Sequence, residues 1–215
     1  MPKIQRIKSY INYWLDAVNE HSLQGPFIYD LYCKVFKDKT GYSEFETFAQ
    51  IRKRFLQSMH SVTVNDLGAG SSFDKNKERK VREIAKYGIT DQKHCELLYR
   101  LIKYLQPKNI LELGTSLGIT TLYLAANEDS HIVTMEGDEK LANISMSVFE
   151  AHDKSNIRQI CGNIDHLLPK YLLENGPLDF VFFDANHTYS ATISYFSQCL
   201  TKAHSGTCFV FDDIH

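Results

Sequence analysis

From Asn109 onward the chain alternates two kinds of segment, and this alternation restricts its fold more than any other feature. Five short apolar runs, Ile110–Leu113, Ile132–Met135, Ile157–Ile160, Phe180–Phe183 and Cys208–Phe211, are separated by stretches of helical spacing, such as Leu141, Ile144, Val148 and Phe149. Short apolar runs bounded by turn residues read as strands, and strands that alternate with helices build βαβ units on a parallel sheet. Such a sheet is covered by helices on both faces, so its strands need not alternate apolar and polar residues. Phe180-Val181-Phe182-Phe183 fits that requirement. The expected class is α/β: a doubly wound, mostly parallel sheet of about five strands with a helical extension before it.

The connection after the first run carries the most chemical information. Asn109-Ile-Leu-Glu-Leu-Gly-Thr-Ser-Leu-Gly-Ile-Thr-Thr passes from strand to helix through a turn holding Gly114 and Gly118. Glycine permits a sharp turn and close approach of a ligand, and a helix start offers free N–H groups to it. Ligands of open α/β sheets bind at the carboxyl ends of the strands. The second run ends in Glu136-Gly137-Asp138, with Glu136 placed 22 positions (136 − 114) after Gly114. An acid at about that distance can accept both hydroxyls of a ribose. Turn and acid each gain weight from the other. Asp66-Leu-Gly68-Ala69-Gly70 looks similar, but no strand–helix–strand follows it, so it reads as a loop or flap.

The turn is Gly-x-x-x-Gly behind Glu112, not the Gly-x-Gly-x-x-Gly of dinucleotide binders. Over about residues 88–215 this pattern resembles the class I S-adenosylmethionine-dependent methyltransferases, within them the small-molecule O-methyltransferases of the catechol and caffeoyl-CoA type. The resemblance implies a Rossmann-like sheet with strand order 3-2-1-4-5. It implies that Glu112, Gly114, Thr115, Ser116 and Gly118 wrap the methionine part of S-adenosylmethionine, and that Glu136, with Gly137 beside it, holds the ribose. Cys161-Gly162-Asn163-Ile164-Asp165 resembles the family's adenine-contacting segment, with Asn163 where Asp is usual and Ile164 packing on the ring; Asn163 also reads as a simple turn residue. Asp184-Ala-Asn-His187-Thr-Tyr resembles the segment that places an acid over the reaction centre and a Lys or His as general base. A histidine at 187 suits proton acceptance near neutral pH. In metal-dependent relatives an Asp-Asn pair after the fifth strand joins the Asp of the fourth; here the pair is Asp212-Asp213. Asp184, Asp212 and Asp213 would suit Mg²⁺, and the competing role of Asp212 and Asp213 is helix capping or substrate contact. Such domains normally continue with two further strands, 6 and 7, which are expected to be missing from this chain.

Residues 1 to about 105 read as helices only. Ile4, Ile7, Ile11, Trp14, Leu15 and Val18 share one helical face; Phe27, Ile28, Leu31, Tyr32, Val35 and Phe36 another; Phe45, Phe48, Ile51 and Phe55 a third, capped by Ser43. A further helix is expected from Thr90 to Leu105. The organisation is thus residues 1–88 as a helical cap and 89–215 as the cofactor-binding domain. Arg79, Lys80, Arg82 and Lys86, with Lys75 and Lys77, alternate with acids and read as a solvated helix face. A net charge of −2 argues against a dedicated nucleic-acid binder. No apolar run approaches the ~18 residues of a membrane span. Five scattered cysteines without a CxxC pair suggest reduced thiols in the cytoplasm. The expected reaction is O-methylation of a small hydroxylated acceptor. The alternatives are an NAD(P)-dependent oxidoreductase and a non-catalytic cofactor-binding scaffold. An open sheet edge favours pairing as a homodimer.

Overall fold

The structure, a computed structural model, describes residues 8, 10–12, 25–64 and 78–213. Most of the helix expected over Ile4–Val18, the Gly68-Ala69-Gly70 loop, Lys75 and Lys77 lie outside them. The chain divides into two compact units, Met1–Thr40 and Gly41–His215. In the first, Pro26 opens helix α1 (Pro26–Leu31) at a position where its missing N–H costs nothing, and the chain continues into a π-helical turn, Tyr32–Phe36.

The second unit is built on one parallel sheet. Its strands are β3 (Asn109–Leu113), β4 (His131–Glu136), β5 (Ile157–Cys161), β6 (Phe180–Phe183) and β7 (Cys208–Phe211), in the order β5-β4-β3-β6-β7. In sequence order of these five strands that is 3-2-1-4-5, as expected. Chain direction reverses its march across the sheet between β5 and β6, so the carboxyl ends of β3, β4 and β6 flank a crevice.

Alternation along the strands assigns each side chain to a face. Leu111, Leu113, Val133, Met135, Val181 and Phe183 meet helices α7 (Ile164–Glu174) and α8 (Tyr189–Leu200). Ile110, Ile132, Phe180 and Phe182 meet α4 (Gln92–Leu105) and the end of α5 (Ile119–Leu124). Helix α6 (Glu139–Ala151) connects β4 to β5. Helix α2 (Ser43–Gln57) forms a further layer, where Phe45, Phe48 and Ile51 bury against Tyr99 of α4 and Tyr123 of α5. Each such buried side chain contributes about 1.5–3 kcal/mol.

Three features differ from the reading of the sequence. Residues before 105 are not all helical: β1 (Ser61–Thr63) pairs antiparallel with β2 (Glu78–Lys80), ahead of α3 (Val81–Tyr87). Three-residue strands are too short for a period of two to register, and the charges of Glu-Arg-Lys conceal the second. The basic stretch is therefore split between a strand and a helix. Helix α2 takes Tyr42 as its N-cap, with no side-chain cap, so Ser43 is the first helical residue. Helix α4 starts at Gln92, capped by Asp91, whose side chain accepts the His94 N–H at 3.0 Å. That leaves Thr90 outside the helix. Among the described residues no helix is long and apolar enough to cross a membrane, and all five cysteines are free.

Candidate active site

Strand β3 ends at Leu113, and the chain turns through Gly114 (φ 100°), Ser116 (φ 49°) and Gly118 (φ 78°) into α5. Packing within the fold already requires both glycines. A Cβ on Gly114 would lie 2.1 Å from the Asp184 carbonyl oxygen, because the end of β6 is hydrogen-bonded alongside through Asp184 N–H to Leu113 O at 2.8 Å. A Cβ on Gly118 would lie 2.8 Å from both Ser145 and Phe149 of α6.

Glu136 closes this turn from β4. One carboxylate oxygen accepts the Ser116 N–H at 2.7 Å and the other the Asp138 N–H at 2.9 Å. Burial raises its pKa, while these backbone donors oppose the rise. The turn and the acid are thus joined directly, and each carboxylate oxygen keeps a lone pair for a further donor.

Glu136 lines a cleft of about 230 Å³ together with Gly114, Ser116, Gly137, Asn163, Ile164, Asp184 and His187. Eight of the expected residues therefore share one cavity. Asn163 caps α7, its side-chain oxygen accepting the Asp165 N–H at 2.8 Å.

Asp184 stands at the carboxyl end of β6, and Asp212 sits beside it after β7 on the α4 side of the sheet. Thr90 bridges them: its hydroxyl is 2.9 Å from Asp212 Oδ2 and 3.4 Å from Asp184 Oδ2, and its single hydrogen goes to the nearer. Arg52 fixes Thr90 by donating to its carbonyl at 2.6 Å. Burial, then the charges of Asp212, Glu112 and Asp213, hold the Asp184 carboxyl well above the usual carboxylate range. His187 Nε2 lies 3.6 Å from Asp184 Oδ1 with its ring 40% exposed, and its backbone is left-handed (φ 39°).

Five expected residues do not line the cleft. Glu112 is fully buried on the α5 face of the sheet, where Oε2 accepts the hydroxyls of Thr121 and Thr134, each at 2.6 Å. Its Oε1 is buried without a partner, and burial lifts the pKa to about 7. Thr115 is buried with its hydroxyl 2.5 Å from that of Thr134. Gly118 faces α6. Asp212 is joined to Asp184 through the Thr90 hydroxyl. Asp213 is exposed, and its N–H donates to Asp212 Oδ1 at 3.1 Å. Among the described residues no group of three or more His, Cys, Asp or Glu side chains is arranged to hold a metal ion.

The cleft also draws on residues that the sequence did not single out for it: Val64, Arg79 and Ile84 from the segment before α4, and Tyr195 from α8. Arg79 had read as part of a solvated face. It enters the cleft because β2 is a strand, and no period in Glu-Arg-Lys signals that.

A parallel sheet of this order, with a glycine turn tied to an acid at the next strand end, is a Rossmann-like arrangement whose ligand side lies at the carboxyl ends of the strands. Residues 111–214 match the family described as Methyltransferase domain. The match covers just under half of the chain. The chain is 31% identical over 123 residues to a catechol O-methyltransferase of Niastella koreensis, covering 55% of each. It is 28% identical over 113 residues to a catechol O-methyltransferase of Mycobacterium tuberculosis, covering 51% of this chain and 50% of the other. The chain thus spans about half the length of the curated relatives it matches. In fold it resembles an O-methyltransferase from Bacillus cereus solved with S-adenosylhomocysteine (TM-score 0.57, 21% identity, 84% of this chain and 74% of that one). It resembles the O-methyltransferase TomG from Streptomyces achromogenes, solved with S-adenosylmethionine, equally well (TM-score 0.57, 22% identity, 83% and 70%).

Proposed function

We propose that the chain transfers a methyl group from S-adenosylmethionine to the hydroxyl of a small molecule. The observation that carries this reading is Glu136, a half-buried acid bonded to the turn of β3 and facing a cleft open to a ligand. In this reading Glu136 accepts the ribose hydroxyls, Asn163 and Ile164 receive the adenine, and Gly114 and Ser116 border the amino-acid end. Val64, Ile84 and Leu141 supply apolar wall. Val64, Arg79, Ile84 and Gly88 border the side of the cleft that meets the acceptor.

The cofactor supplies a methyl group on a positively charged sulfur, which departs neutral. The protein's work is then alignment of the acceptor, worth ~7–11 kcal/mol in favourable cases, and removal of its proton. His187 is placed to take that proton, with Asp184 beside it to orient the ring. Asp184 and Asp212 are the carboxylates that would meet a divalent ion, and assays with and without Mg²⁺ decide its part.

Calorimetric titration of S-adenosylmethionine and S-adenosylhomocysteine, with Glu136→Ala as control, tests the reading. Hydrogen bonds to a charged group contribute about 1.5–3 kcal/mol, so the substitution is expected to weaken binding about 10- to 100-fold. No binding by folded wild-type protein, or binding of NADH in preference, overturns the reading.

A further inference from the structure

The loop after β6 is held in an uncommon conformation. Asn186 (φ 64°) and His187 (φ 39°) are consecutive left-handed residues without a glycine, and His187 N–H folds back to Ala185 O at 2.8 Å. Asn and His visit this region more often than most residues, but two in succession without a glycine are uncommon. Such a backbone persists only where its surroundings over-determine it.

The surroundings here are specific. The Asn186 side-chain oxygen accepts the Thr188 hydroxyl at 3.2 Å, and its amide nitrogen reaches the Tyr195 hydroxyl at 3.5 Å. Thr188 is the N-cap of α8, accepting the Ala191 N–H at 3.4 Å. Tyr195 is 3% exposed and lines the cleft, and its hydroxyl donates to Asp165 at 2.7 Å in the first turn of α7. Asp165 is in turn held by Asn163, its N–H bonded to the capping side chain. Burial pushes the Tyr195 pKa up to about 12, so the phenol keeps its proton at any working pH.

We infer that Tyr195 is a positioning residue that links the Asn163–Asp165 end of the cleft to the loop presenting His187. The chain of contacts runs Asn163, Asp165, Tyr195, Asn186, and it crosses from the start of α7 to the turn after β6 along one wall of the cleft. Occupancy at the first end is thereby felt at the second, and the turn is held before an acceptor arrives. This rests on the cofactor reading above, in which the Asn163 end takes the adenine.

The probe is adenosine, which fills the adenine and ribose end and leaves the space beside His187 empty. The readout is the His187 ring signal in ¹H–¹³C NMR, assigned with His187→Gln, in wild type and in Tyr195→Phe. Phenylalanine keeps the packing and removes only the hydroxyl, and thermal melting checks that the variant is folded. Adenosine is expected to bind both proteins within about threefold of each other. It is expected to move the His187 signal in wild type and to move it by less than half as much in Tyr195→Phe, with Asn186→Ala showing the same loss. Equal movement in wild type and Tyr195→Phe overturns the link while leaving the cofactor reading intact. Failure of both adenosine and S-adenosylhomocysteine to bind the wild-type protein removes the cofactor reading and the link with it.

Discussion

The most direct test of the energetics concerns Glu112, which is completely buried and has one carboxylate oxygen without a partner. Burial raises its pKa from the ordinary 4.5 to about 7, against the two threonine hydroxyls that favour the ionised form. Between those values the unfolded chain has released the proton and the folded chain still holds it. The unfolded state then binds fewer protons, so stability falls as pH rises, by roughly 1.4 kcal/mol per pH unit. The contribution is fully present below pH 4.5, declines through the folded value of about 7, and is lost above it. The total is about 3 kcal/mol, a large share of the 5–15 kcal/mol typical of a domain. Glu112→Gln has no proton to lose, so its stability lacks this slope. Urea unfolding of both proteins at pH 5, 6, 7 and 8 measures the difference; Asp184 shifts in the same direction in both, and the part of its shift that comes from Glu112 belongs to the difference. The stability of wild type relative to the variant is expected to drop by about 2 to 3 kcal/mol from pH 5 to pH 8, nearly all of it below pH 7.5. Parallel curves for the two proteins would refute a neutral, buried Glu112.

Further outcomes follow from the same geometry. Gly114→Ala places a Cβ 2.1 Å from a backbone oxygen at φ 100°, and is expected to cost about 4 kcal/mol or more, read as loss of a cooperative melt; a melting temperature within a few degrees of wild type contradicts the packing described. Phe48→Ala empties a site 3% exposed between α2 and Tyr123 and is expected to cost about 3–5 kcal/mol, measured by denaturant unfolding with affinity for S-adenosylhomocysteine retained. His187→Ala is expected to depress the rate of methyl transfer and flatten its pH profile; full activity across pH 6–9 excludes His187 as the base.

What the sequence made legible was whatever a periodic pattern or a fixed spacing encodes. The five strands of the large sheet and the pairing of the Gly114 turn with Glu136 follow from apolar runs at regular intervals and one count along the chain, and the strand order from the resemblance to a known family. Eight of the residues expected in a site converge on one cleft for the same reason, since strand ends on one side of a parallel sheet are neighbours whatever lies between them. The illegible part consists of contacts between segments far apart in sequence. Val62 opposes Arg79 across a ladder of three residues, which no local signal announces. Thr90 reaches Asp212 over 122 positions and Tyr195 reaches Asp165 over 30.

The glycines show how a correct placement can rest on an incomplete cause. Gly114 was assigned to the cofactor turn because glycine lets a ligand approach, and it does line the cleft. Yet the space a side chain would need there is taken by the carbonyl of Asp184. The same contact brings Asp184 beside the turn, so the glycine that allows β3 and β6 to close also sets the distance between the cofactor end and the acid. Glu112 inverts the case. It was assigned to the ligand from its position in the motif, but strand alternation turns it to the α5 face with Thr121 and Thr134, and Thr134 passes the contact to Thr115 in the turn. Its effect on the cleft is therefore carried through the shape of the turn, and a substitution that spares this hydroxyl network should spare affinity even where it changes stability.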